Sequence, residues 1–190
     1  MEWAIPLQKL EVGKIQICEY QNNEKSIVPL AYFDGQNTFP YLNILLPKFI
    51  VDYFDPATGK LIIQLKDISG NFSEGKLNAL QQSLLNAVFM QQSIWFTNKN
   101  YTLESLEKLF KPIVEKNLLH LYFPTQFNND VHIYKNKTWY TSYEPGLIQK
   151  NDNVRIMFRI QGLSFHKNNY NKEWSGKFRL QHRILTILVE

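Results

Sequence analysis

One cysteine, Cys18, stands in 190 residues, so no disulfide can close within the chain. It lies in a strand-like run, Lys14 to Cys18, and reads as a core filler rather than a reactive thiol. The four histidines, His120, His132, His166 and His182, fall at no metal-ligand spacing. There is no phosphate-binding loop, dinucleotide fingerprint, nucleophile elbow or H-E-x-x-H. Paired acids for two-metal hydrolysis are missing as well. Asp55 followed by Gln64-Leu-Lys66 loosely resembles a metal-dependent nuclease hairpin, but Gln64 stands where an acidic ligand is needed. The residues therefore point to no catalytic centre, no metal and no cofactor, and the expectation is a protein that is not an enzyme. Long apolar runs are absent too, the longest being broken by Pro47, Lys48 and Asp52. Met1-Glu2-Trp3 carries no basic leader. The chain is expected to be soluble, off the membrane, and in a reducing intracellular compartment.

What is abundant is aromatic: 13 Phe, 10 Tyr and 4 Trp make 14% of the chain, more than a core rich in Leu and Ile needs. Some rings should face solvent or a ligand. The length suits one domain, residues 1–190. Short β-rich runs occupy 14–20, 27–33, 42–54 and 61–65, with a hairpin turn at Asp55-Pro-Ala-Thr-Gly-Lys60. Pro47 should place its strand at an edge or a bulge. Leu77, Leu80, Leu84, Ala87 and Val88 recur at helical spacing and predict a helix over 74–95. A second should follow Thr102 as N-cap and stop or kink before Pro112. Strands return at 118–123, 131–134, 138–143, 153–166 and 177–189, with Asn136 turning a small hairpin. The fold class expected is mainly β with a helical insertion (α+β).

Charge is unevenly spread. Residues 1–67 carry a net −2, residues 154–190 a net +5, and all four arginines lie in the latter stretch. In Val154 to Gly162, period two puts Val154, Ile156, Phe158 and Ile160 on one face and Arg155, Met157, Arg159 and Gln161 on the other. In Lys177 to Ile184, Phe178, Leu180, His182 and Ile184 share the inward face, and Lys177, Arg179, Gln181 and Arg183 the outward one. The two segments read as a hairpin whose outer surface is an anion platform, since a guanidinium holds phosphate bidentately and stacks on bases. Gly162 should mark a bulge or a close backbone approach.

The connecting stretch 167–176 sets Tyr170 and Trp174 among Lys167 and Lys172. The small hairpin repeats the mixture with Tyr134, Lys135, Lys137, Trp139 and Tyr140. Rings that stack on bases among cations that track phosphates are the equipment of single-strand binders.

The run Gly162-Leu-Ser-Phe-His, a variable loop, then Gly176-Lys-Phe-Arg-Leu-Gln-His-Arg-Ile resembles the closing hairpin of OB-fold single-stranded-DNA-binding proteins that serve replication in large DNA viruses and phages. Ile44-Leu-Leu-Pro-Lys-Phe and Gly59-Lys-Leu-Ile-Ile-Gln-Leu65 are similar to their first-half hairpin. The resemblance spans about residues 42–189. It implies an elaborated OB-fold-like barrel, five-stranded and Greek-key, that coats and protects single-stranded DNA during replication with little regard to sequence. Partners would then be single-stranded DNA or RNA, replication proteins and further copies of the chain, in the cytoplasm, the nucleus or a viral replication site. The alternative is a β-rich interaction or structural protein docking an acidic partner.

Overall fold

The computed structural model describes residues 3–21, 26–66, 72–96, 100–123, 131–171 and 173–190. In chain order the elements are β1 (Ile5–Pro6), β2 (Ile15–Ile17), β3 (Ile27–Phe33), β4 (Thr38–Phe39), β5 (Leu42–Leu45), β6 (Phe49–Asp55) and β7 (Lys60–Gln64). Then come α1 (Phe72–Trp95), α2 (Leu103–Leu109), β8 (Phe110–Lys111), β9 (Val114–Glu115), β10 (Leu118–Tyr122), β11 (His132–Lys135), β12 (Thr138–Tyr140), β13 (Asn153–Lys167) and β14 (Trp174–Val189). The chain is thus mainly β with two helices inserted, and its sheet is mixed and open. No described helix is long and apolar enough to cross a membrane.

Local chemistry accounts for the boundaries. Pro47 falls in the break between β5 and β6. Asp55 builds the β6–β7 turn, one carboxylate oxygen accepting from the Ala57 amide at 2.9 Å and the other from the Thr58 hydroxyl at 2.6 Å. Gly59 closes it at φ +68°. Asp55 and Gln64 pair with opposite ends of this hairpin, so they share no site. Thr102 caps α2 by accepting from the Ser105 amide at 3.2 Å. Asn136 and Lys137 hold left-handed φ of 53° and 64°, the two-residue turn expected between β11 and β12.

The path through the sheet is β12-β11-β14-β13-β6-β7-β10-β9. Strand β13 is its axis and changes partner along its length, meeting β6 at Asn153–Val154, β5 at Met157–Ile160 and β3 at Gly162–Ser164. Glycine is required at the last handover, because a Cβ on Gly162 would lie 2.2 Å from the Val28 carbonyl oxygen. A register shift between Ile160 and Gly162 confirms the expected bulge.

Strand β14 pairs along one edge with β13. Its other edge meets β8 at Phe178–Arg179 and β11 at Thr186–Leu188, both parallel. Between these contacts, among the described residues, no strand bonds to this edge of β14. There β10 lies alongside, the Tyr122 and His182 rings 6.1 Å apart.

One core runs through the molecule, in which Leu77, Leu80, Leu84 and Val88 of α1 belong to the same buried cluster as Val51, Ile63, Phe158, Ile160 and Ile184 of the sheet. Two expectations need correction. Both strands of the long hairpin run further than expected, so the connecting loop shrinks to residues 168–173 and Trp174 becomes a strand residue. Cys18 is exposed, because β2 ends before it at the sheet margin.

Candidate nucleic-acid interface

The four arginines do not form one platform. Arg155 is exposed but leans on Glu190, 3.5 Å away, which Lys48 also contacts. Arg159 is buried: its Nε donates to Asn43 Oδ1 at 2.8 Å and its guanidinium lies 4.2 Å from the centre of the Tyr41 ring. The expected exposure of Arg159 is therefore corrected: β5 pairs beside β13 here, and its Asn43 together with the Tyr41 ring encloses the guanidinium. Arg183 pairs directly across from Arg159 and is half-buried. Of the four, Arg179 is the one that lines the two grooves between β10, β8 and β14.

Lys135 is likewise structural, its ammonium donating to the Gly146 and Leu147 carbonyls and to Asp152 at 3.0–3.2 Å. Trp174 is no stacking platform. It is only 6% exposed, stacks on Phe96 at 4.1 Å, and donates its indole N–H to the Lys177 carbonyl at 2.9 Å. Packing on β14 against the end of α1 explains this, since the rings of Phe96, Tyr101, Phe165 and Phe178 surround it. Tyr170, 97% exposed, tips the loop between β13 and β14, and Trp139, 55% exposed, lies against Tyr134 at 4.9 Å beside exposed Lys137. Tyr140 packs onto the core, Lys167 and Gln161 are half-buried, and Lys172 falls outside the described residues.

The structure instead gathers cations where β14 and β10 part. A cavity of about 270 Å³ opens there, with Lys60, Lys111, His120, Tyr122, Arg179 and His182 in its wall. Gln181 and Glu115 also line it. It continues past Lys111 and Arg179 into a second groove, where Lys108, His166 and Lys177 join. Thus β7, β8, β10 and β14, far apart in sequence, supply one cationic trough. Among the described residues no acidic side chain forms an ion pair with Lys60, Lys111, Lys177 or Arg179. An anion platform needs such unneutralised charge.

One wall is held by a buried amide. Gln81 of α1 accepts from the Ile113 and Val114 amides at 2.7 and 3.1 Å, fixing the β8–β9 turn that presents Lys111. Sequence reasoning missed Lys60, Lys108, Lys111, His120 and Tyr122. None belongs to an alternating basic segment, and only strand pairing brings them beside Arg179.

The electrostatics suit a neutral imidazole within a cationic rim. Burial pushes the His182 pKa down to about 4, and Arg179 and Lys111 act in the same direction. Its Nδ1 lies 3.2 Å from the Leu180 carbonyl, which takes the N–H of the neutral ring, while Nε2 is shut from water with no partner among the described residues. His120 is lowered as well, by burial first and then by Lys60. Lys111 stands 5.8 Å over the Tyr122 ring. Among the described residues, no three His, Cys, Asp or Glu side chains gather as a metal site would need.

No protein-family model, no curated protein and no solved structure matches this chain.

Proposed function

We propose that the protein binds single-stranded nucleic acid along the trough between β10 and β14, and that it coats and protects single-stranded DNA during replication without strong sequence preference. The observation that carries this reading is the convergence of Lys60, Lys111, Lys177 and Arg179 on one groove that also holds the Tyr122 ring. Cations along a groove follow a phosphate backbone and an aromatic face accepts a base. Tyr170, Trp139 and Lys137 extend the surface beyond the trough.

The strand order supports an OB-like barrel. Taking β10 and β14 as neighbours across their gap, the ring β6-β7-β10-β14-β13 has the order of an OB-fold's five strands, and β10 runs parallel to β14 as that fold requires. The helices differ in place, entering between the second and third strands of this ring rather than between the third and fourth. OB-folds bind oligonucleotides on their second and third strands and on the loops joining strands one to two and four to five. Here those are β7, β10, the turn at 56–59 and the loop at 168–173, and Lys60, His120 and Tyr122 of the trough lie on the first two.

Fluorescence anisotropy with single-stranded DNA, single-stranded RNA and duplex of equal length tests the reading. Single strands are expected to bind at least tenfold more tightly than duplex at moderate salt. Equal affinity for all three, or none for any, would favour the second reading, in which the same trough docks an acidic protein.

A further inference from the structure

The trough contains more than a phosphate track. A flat cationic surface suffices to follow a backbone, yet here a cavity of about 270 Å³ sinks between β10 and β14. Its volume falls just below the range of pockets for drug-sized ligands, the size for one small planar group rather than a run of bases. Its inner wall is apolar and aromatic, made by Ile113, Leu180 and the rings of Tyr122 and His182, while the ammonium and guanidinium groups of Lys60, Lys111 and Arg179 also line it. Along this wall the edge of β14 away from β13 has no bonded strand from Leu180 to Leu185 among the described residues, so that edge can offer main-chain groups to a ligand.

We propose that this cavity receives a single nucleobase turned out of the bound strand, with the flanking phosphates held by Lys60, Lys111 and Arg179. The proposal rests on the single-strand reading above and adds a base-sized subsite to it. An apolar wall with a planar aromatic ring accepts the face of a base. His182 adds an uncharged imidazole to that wall, its Nδ1 proton held by the Leu180 carbonyl and its Nε2 shut from solvent, so it offers the base its ring and no charge. A nucleobase with its phosphate could arrive either within a strand or as a free mononucleotide, and the test separates them.

The shortest single strand that binds at full affinity is prepared with one abasic site, sugar and phosphate retained, moved through each position in turn. At one position the loss should be tenfold or more, and elsewhere threefold or less. A 2-aminopurine at the sensitive position should brighten on binding, because a base withdrawn from its neighbours is no longer quenched by stacking. Tyr122→Ala should flatten the position dependence; the abasic scan itself uses the unaltered protein and does not depend on that variant folding. If intact strands bind well but every abasic position loses equally little, the subsite is overturned while strand binding stands. If no single strand binds at low salt, both fall. If deoxynucleoside monophosphates bind more tightly than the strand while deoxyribose 5-phosphate does not, the cavity serves free nucleotides and the strand-borne base is overturned.

Discussion

Arg159 and Arg179 lie on the two strands of one hairpin, both on the face that period two directs outward, yet one is core and the other groove. Arg159 is enclosed because β5 pairs beside it, and its charge is met by Asn43 of that strand and by the Tyr41 ring. Arg179 stays in the trough because on its outer edge the short β8 is its neighbour, with Lys111 directly across. The alternation of both segments was legible in the sequence; that Asn43 and Tyr41, more than a hundred residues away, would enclose one of the two arginines was not. His182, half-buried in the wall of the cavity, carries the clearest consequence for pH. Its folded pKa, about 4, is below the ordinary 6.5, so between those values the unfolded chain binds more protons than the folded one. Stability from this group is complete above about pH 6.5 and is lost as pH falls toward 4, by on the order of 3 kcal/mol. His120 shifts in the same direction and adds to the slope. Thermal melts from pH 7 to pH 4.5 should therefore show a smaller drop for His182→Gln than for the natural protein. An identical drop would place His182 in contact with water.

Among the elements, α1 and the β13–β14 hairpin were the most legible, because helical periodicity and period-two alternation are local signals. Leu77 to Val88 gave the helix to within two residues of its observed start. What alternation could not show was where the hairpin stops and its loop begins. Trp174, flanked by Lys167 and Glu173, reads as a loop aromatic, but a ring of Phe96, Tyr101, Phe165 and Phe178 claims it for the core. Phe96 and Tyr101 arrive from the end of α1 and the segment after it and leave no mark on the pattern around Trp174. The exposed ring at this end is Tyr170. Trp174→Ala should accordingly cost about 3–5 kcal/mol in chemical denaturation, as removal of a buried tryptophan does. Tyr170→Ala should leave the melt unchanged while weakening single-strand affinity by about 1–3 kcal/mol, the usual value of one stacked base. Were Trp174→Ala to fold normally and bind poorly, the packing described for β14 would be wrong.

At the scale of the whole molecule, a net charge of +4 is too small to make nucleic-acid binding a property of the entire surface. The excess has to be local, and the fold makes it so. Lys60 comes from an acidic first third of the sequence and Lys111 from the segment after α2, yet both meet Arg179 and Lys177 because β7, β8, β10 and β14 adjoin. A linear reading of charge could see the basic C-terminal stretch but not these two lysines. The same geometry fixes how binding should respond to salt. Each phosphate neutralised on a single strand releases counterions and contributes about −0.7 to the slope of log affinity against log salt. If Lys60, Lys111, Lys177 and Arg179 each hold a phosphate, a slope near about −3 is expected. Lys111→Ala and Arg179→Ala should each make it shallower by about 0.7. Arg155→Ala removes a charge of the same sign that leans on Glu190 and lines neither groove, so it should leave the slope unaltered. Titrations of one oligonucleotide at four or five salt concentrations, run on all three variants and the natural protein, measure this directly. A slope that responds to Arg155 as much as to Lys111 would mean that the strand lies across the outer face of the hairpin and not in the trough.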